Sequence, residues 1–501
     1  MSRPTEADVS DLREDTQDLG RRAARGAFVT LGAQAVRIVL QVGGVVVLAR
    51  LLSPREYGLI AMVTAVTGVG ELFRDFGLSS AAIQARSLSR AQRTNLFWLN
   101  SAIGLGLSLL TFTLAVPIAR LYGQPLLVSV VQALAVTFAL NGMATQLRAD
   151  LTRRMRFARL AVIDITAAVV ALSVAVVLAV AGAGYWALVA QQVTTSLVLL
   201  VGAAVAAGWL PGLPQRGVPM RHLLSFGWSL LATQLVTYTS NNVDSLTIGV
   251  RFGATSLGLY NRAWQLLMST LSQLRAPTTT VALPILSRLR EQPERFADFV
   301  RRGQLALGYS LVAGLAVVAT TAEPLTEILL GPQWTGATQL LRLLAVAGAF
   351  QTLAYVGYWV YLATGATSTL LRYTLVSAVI KIVCVVVGST WGVVGVAAGF
   401  ALAPALSWPL SLWWVGRQAP IHARGLVVGG LRVVGFLAGA SAAAWLVGQT
   451  VPDASSPWTV LVVELGVWLV LVAAAAAVVP VLRRDVRDVL AVVTAARRRS
   501  S

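Results

Sequence analysis

Charge is what this chain lacks. Of its 501 residues only 12% are Asp, Glu, Lys or Arg, while 56% are hydrophobic. A soluble domain of ordinary composition carries about 25% charged residues, so a water-exposed globule of this length would have too little charge to cover itself. The chain therefore reads as an integral membrane protein. Cysteine is reduced to Cys384, which excludes an intrachain disulfide and a cysteine-based metal cluster. The two histidines, His222 and His422, lie far apart in basic segments, so no metal site is expected. Lysine is reduced to Lys381 among 40 basic residues. HExxH, GxSxG and P-loop patterns are also missing, so neither an enzyme, a catalytic residue nor a cofactor is expected. Glu323 and Glu327 are the nearest thing to a catalytic pair, and they have no histidine or basic partner in sequence.

What is present is a series of apolar runs of membrane-spanning length. They fall near 26–49, 57–84, 96–118, 125–147, 160–181, 184–207, 223–250, 256–286, 303–322, 335–362, 370–389, 392–415, 428–449 and 458–480. Fourteen spans leave room only for short loops and two tails. The net charge of +19 tests this division. With the N-terminus in the cytoplasm, 28 arginines fall on inner segments and four (Arg50, Arg55, Arg120, Arg251) on outer loops. That bias is the topology signal of membrane proteins. It accounts for the basic surplus without nucleic acid and places both termini inside. The expected fold is all-α, with about 14 transmembrane helices. A cytoplasmic disordered tail (1–25) precedes a six-helix lobe (26–207). A cytoplasmic linker (208–222) leads to a second six-helix lobe (223–415), then helices 13 and 14 (416–480) and a basic cytoplasmic tail (481–501). An internal repeat at an offset of 201 residues pairs Arg50 with Arg251, Arg74 with Arg275 and Ala81 with Ala282. It makes the lobes pseudo-symmetric and parallel, an arrangement of transporters.

Four spans break the apolar pattern. Span 1 carries Thr30, Gln34, Arg37 and Gln41; span 2 carries Thr64, Thr67, Glu71 and Arg74, with Asp75 adjacent. Span 7 carries Gln234, Thr237, Asn241 and Asp244; span 8 carries Arg262, Gln265, Ser269, Ser272, Arg275 and Thr279. Spacings of three and four put each set on one helix face. An arginine at a helix centre costs about 2.5–3.5 kcal/mol on insertion scales, so these faces turn from lipid toward protein or trapped water. A hydrated cavity between the two halves is expected. Its candidate substrate-binding residues are Arg37, Arg74, Arg262, Arg275, Gln34, Gln41, Asn241 and Gln265, with Lys381 and Arg342 as further cations. Asp244, Glu71 and Asp75 are candidates for coupling to H+ or Na+. The alternative for Glu71, Arg74 and Asp75 is that they neutralise one another at i, i+3 and i+4.

The runs LARLLSPREYGLIAMV (48–63), FRDFGLSSAAIQ (73–84) and FWLN (97–100) resemble the Wzx-type polysaccharide flippases of the multidrug/oligosaccharidyl-lipid/polysaccharide exporter superfamily. So do NNVDSLTIGVRFGATSLGLYNRA (241–263), ALPILSRL (282–289), GPQW (331–334) and LLRLLAVAG (340–348). The resemblance covers roughly residues 25–415 and is nearest the colanic-acid and teichuronic-acid exporter subgroup. It implies a V-shaped transporter with six helices per lobe. Such a protein moves a polyprenyl-pyrophosphate-linked oligosaccharide from the inner to the outer leaflet by alternating access. It works as a monomer among membrane lipids, beside polysaccharide polymerase and export machinery. Three alternatives stay open: a drug/cation antiporter of the same superfamily, a peptidoglycan-precursor flippase and a membrane glycan polymerase or ligase.

Overall fold

The computed structural model describes residues 32, 36, 38–75, 89–209, 211–217, 221–451, 456–485 and 487, and no strand occurs among them. The longer helices, in chain order, are α1 (Ile38–Leu51), α2 (Pro54–Asp75), α3 (Arg90–Thr113), α4 (Leu127–Arg153), α5 (Phe157–Val180) and α6 (Trp186–Ala207). They continue with α7 (Arg221–Trp264), α8 (Thr270–Leu289), α9 (Pro293–Thr320), α10 (Thr338–Thr364), α11 (Thr367–Gly388), α12 (Gly392–Val415), α13 (Ala423–Gly448) and α14 (Pro457–Val478). Ten helical segments among the described residues are long and apolar enough to cross a membrane, and one of them, 367–415, holds both α11 and α12. The polar-striped α7 and α8 are not among the ten. The protein is an all-helical, multi-pass membrane protein, as its composition requires.

Local sequence sets the helix ends. The Ser53 N–H donates to the Glu56 carboxylate at 2.7 Å and the Glu56 N–H donates to the Ser53 hydroxyl at 3.4 Å. This reciprocal cap, with Pro54 in the first helical position, starts α2. Ser89 and Gln92 repeat the device at the start of α3, at 3.0 and 3.1 Å. α7 is broken at Gly253 (φ 79°, ψ −176°), where the outer loop between spans 7 and 8 was expected. Only glycine enters that backbone region without strain. A π-helical turn, Gln265–Ser269, separates α7 from α8.

The chain divides into two compact units, Met1–Leu52 with Val66–Leu235, and Ser53–Ala65 with Val236–Ser501. In the first, α5 buries Ile163, Ala167, Ala171, Ala175 and Ala179, a stripe spaced by four. Small side chains let membrane helices approach closely, which matters because lipid provides no hydrophobic drive between them. α3 and α4 meet through glycine: a Cβ on Gly104 would strike the Phe138 carbonyl, and one on Gly142 the Asn100 carbonyl. The segment after α6 is held on α3. The Asn95 side chain donates to the Gln215 carbonyl at 2.7 Å and accepts from its N–H at 2.8 Å, and the Trp98 indole donates to the Gly212 carbonyl at 2.7 Å.

In the second unit the start of α2 crosses the later part of α7. A Cβ on Gly58 would meet the Ala254 carbonyl, and one on Gly258 the Pro54 carbonyl. The contact is reciprocal between segments that the internal repeat pairs. An aromatic core of Phe296, Trp359, Tyr361 and Trp408 joins α9, α10 and α12. α11 and α12 pack through Gly399, whose Cβ would meet the Cys384 carbonyl. α13 and α14 are tied on by polar links. Buried Asp485 accepts from Arg432 at 2.5 Å and from Tyr309 at 3.0 Å, and the Trp468 indole donates to Ser441 at 3.2 Å.

Gly104→Leu is expected to lower the melting temperature of the detergent-purified protein by several degrees, because overpacking costs about 1–3 kcal/mol. Gly106→Leu, two residues away with nothing within 4 Å of its Cβ position, is expected to leave it unchanged; equal melting temperatures for the two variants would refute the packing account.

Candidate functional site

The second unit contains a cavity of about 390 Å³, within the range of roughly 300–1,000 Å³ typical of small-ligand sites. Helical spacing explains its walls. Thr237 and Asn241 face it from one side of α7, Gln351, Tyr355 and Tyr358 from one side of α10, and Tyr373, Ser377 and Lys381 from one side of α11. Arg275 enters from α8, and Phe400 and Ser407 from α12. Among the described residues, two cations line the cavity and no carboxylate does.

Neither cation is held by an ion pair among the described residues. The Arg275 guanidinium lies 5.4 Å from the centre of the Tyr355 ring, and its Nε is buried without a partner. Tyr355 is itself positioned: Thr279 donates to its hydroxyl at 3.0 Å, and the Trp359 indole donates to Thr279 at 3.2 Å. Lys381 reaches the Asn241 side-chain oxygen at 3.4 Å and sits 4.6 Å from the centre of the Phe400 ring. Cations resting on aromatic faces are stabilised by about 0.5–2 kcal/mol while leaving their hydrogen-bond donors available. A site of two such cations, three tyrosines and neutral hydroxyls and amides suits an anion attached to a polyhydroxylated group.

Of the residues singled out in the sequence, Arg275, Asn241 and Lys381 come together here. Arg262 does not line the cavity. It stacks on the Tyr57 ring at 3.5 Å and donates to Gln265 at 2.7 Å. The expectation that the whole span 8 stripe shares one face fails for a geometric reason. Arg262 and Arg275 are thirteen residues apart, and the π-helical turn Gln265–Ser269 between them breaks the α-helical phase on which a shared face depends. Asp244 is buried one turn beyond Asn241, where its carboxylate accepts from Tyr260. In the first unit, Arg74 pairs with Glu71 at 2.5 Å, donates to Thr145, and reaches the Asn141 carbonyl at 3.3 Å. Arg342 lies 3.7 Å from Glu323 and 5.3 Å from the Trp445 ring, away from the cavity. Gln41 is half-buried on α1. Arg37, Gln34 and the side chain of Asp75 lie outside the described residues. Sequence reasoning missed Tyr355, Tyr358 and Tyr373, because tyrosines in an apolar helix read as packing. Their spacing with Gln351 and Lys381, in steps of three, four and eight, was the available signal.

Comparison with known proteins agrees with the architecture. Residues 47–339 match the family described as polysaccharide biosynthesis protein. The chain is 23% identical to the lipopolysaccharide biosynthesis protein WzxC of Escherichia coli strain K12 over 410 residues, covering 80% of each chain. It is 28% identical to the teichuronic acid biosynthesis protein TuaB of Bacillus subtilis strain 168, covering 65% of this chain and 68% of that one. Among solved structures, the lipid II flippase MurJ in an inward closed conformation shares the fold. Its TM-score is 0.68 at 12% identity, over 90% of this chain and 99% of that one.

With Cys384 replaced by serine, a cysteine placed at Ser377, which lines the cavity, is expected to react with a polar methanethiosulfonate reagent. One placed at Val385, which is fully buried, is expected to stay unlabelled. Equal labelling would show that no polar cavity exists at α11.

Proposed function

The chain belongs to the family of polysaccharide biosynthesis proteins matched over residues 47–339, and from that premise we propose that it is a lipid-linked oligosaccharide flippase. It moves polyprenyl-pyrophosphate-linked repeat units from the inner to the outer leaflet of the bacterial plasma membrane by alternating access. Its termini lie in the cytoplasm, and it supplies repeat units to polysaccharide polymerase and export machinery. The observation that carries this reading is the cavity lined by Arg275 and Lys381, with no carboxylate among the described residues of its walls.

The physical requirement is plain. A pyrophosphate bearing sugars cannot cross about 30 Å of hydrocarbon unaided, because burying unpaired charge is prohibitively costly. A pocket of ring-supported cations replaces part of the lost hydration. Arg275 and Lys381 bind the phosphate oxygens. Tyr355, Tyr358 and Tyr373 present ring faces and hydroxyls to the sugars, and the prenyl chain remains in lipid. Outward movement of the anion gains about 2.3 kcal/mol per charge for each 100 mV of inside-negative potential. Export of organic cations would call for carboxylates in the cavity instead.

In vesicles carrying a lipid-linked oligosaccharide, Arg275→Ala is expected to slow flipping by at least about tenfold, since a charge-assisted contact is worth about 1.5–3 kcal/mol. Arg275→Lys retains the charge and is expected to lose less. Wild-type flipping by the Arg275→Ala/Lys381→Ala double variant would overturn the assignment.

A further inference from the structure

α9 is longer than the hydrocarbon it has to cross. Its 28 residues, Pro293–Thr320, rise about 42 Å at about 1.5 Å each, against about 30 Å of bilayer core. The excess is polar. Glu294, Arg295, Asp298, Arg301 and Arg302 all fall in its first ten residues, which puts the first turns of α9 at the depth of lipid head groups. A second cavity, of about 300 Å³, opens there between α9 and the start of α13. Glu294, Asp298 and Arg301 wall it from one face of α9, and His422, Gly425 and Leu426 wall it from α13. The buried Gln304 side chain fixes the two helices to each other, donating to the Leu426 carbonyl at 2.8 Å. The charges around the cavity are unevenly matched. Asp298 answers two arginines, Arg301 at 3.1 Å and Arg302 at 2.7 Å, which leaves a positive surplus. One helical turn earlier, the Glu294 carboxylate has no ion pair or hydrogen bond among the described residues, and neither has the His422 imidazole.

We propose that this cavity binds the head group of an ethanolamine phospholipid. The ammonium seats at Glu294 and the phosphate at Arg301 and His422. The acyl chains continue into the bilayer past Val428, which is exposed one turn beyond Gly425. Several features select this ligand. Charges of opposite sign stand one helical turn apart, about 5.4 Å, and that spacing suits a zwitterion whose ammonium and phosphate are joined through two carbons. A purely anionic head group would set like charge against Glu294 and Asp298. A choline head group has no N–H to give a carboxylate and is recognised by aromatic cages, and no Phe, Tyr or Trp lines this cavity among the described residues. The volume lies at the lower limit of small-ligand sites, roughly 300 Å³, which admits a head group and leaves the chains outside. The inference does not depend on what the larger cavity carries.

The test is thermal unfolding of the full-length, delipidated protein in detergent, with dioleoyl phosphatidylethanolamine, phosphatidylcholine or phosphatidylglycerol added. The three share their acyl chains, so only the head group differs. The wild type is expected to melt a few degrees higher with the ethanolamine lipid than with either of the others, because a ligand that binds only the folded state stabilises it. Glu294→Gln removes the carboxylate charge. Gly425→Leu fills a position whose Cβ would have only the His422 Cβ within 4 Å. Each variant is expected to match the wild type without added lipid and to lose the preference for ethanolamine, and either one decides the question if the other fails to fold. Equal shifts with the three lipids in the wild type would overturn the proposal. So would a preference that survives in either variant, or one that soluble phosphoethanolamine reproduces in full, which would assign the site to a free small molecule.

Discussion

Hydrocarbon does not tolerate an unpaired charge, and the placement of the described cations within these spans follows from that constraint. The penalty allows few solutions, and the chain uses several. Arg74 takes a carboxylate, Glu71, on its own helix. Arg262 takes the face of Tyr57 and the amide of Gln265. Arg342 takes Glu323 and the ring of Trp445. Arg275 rests on Tyr355, and Lys381 on Phe400 and Asn241. These solutions differ in what they leave available. A carboxylate partner neutralises a cation, whereas an aromatic face stabilises it and preserves its charge toward a ligand. The two cations that meet at a cavity are both of the second kind.

That arrangement needs helices held close enough to define a wall without filling it. Lipid contributes no hydrophobic drive between helices, so close approach depends on small residues. The alanine ridge of α5, the Gly104–Gly142 contact of α3 and α4, and Gly399 of α12 against the backbone of α11 serve this purpose. Larger side chains are concentrated in the aromatic core behind the cavity, where Trp359 also orients Thr279 and through it Tyr355. The appended pair α13 and α14 is fastened by buried polar groups, chiefly Asp485 with Arg432 and Tyr309. Asp485, near a span end, thus acts as a fastener between helices.

Much of the architecture was legible in the sequence because its signals are local. Apolar runs of spanning length gave the helices, and the gap between the seventh and eighth runs, 251–255, holds the break at Gly253. Thr237 and Asn241 stay on one face of α7 because a step of four residues turns the helix only about 40° past a full turn. The stripe on span 8 is interrupted by the π-helical turn Gln265–Ser269, so Arg262 and Arg275 part company. Tyr355, Tyr358 and Tyr373 escaped notice because a tyrosine's role depends on whether a neighbouring helix covers its hydroxyl.

The sequence by itself determined that this is a membrane protein of many helices and that it belongs with the polysaccharide exporters. Hydropathy, helical period and the cost of buried charge act residue by residue, so one chain suffices to read them. Only the tertiary structure decided which polar residues meet. It joined Arg275, Lys381 and Asn241 with three unsuspected tyrosines and took Arg262 and Arg74 to partners elsewhere. Pairing across helices depends on rotation and depth, and a shift of one residue turns a side chain by about 100°, a choice that packing makes and composition does not record.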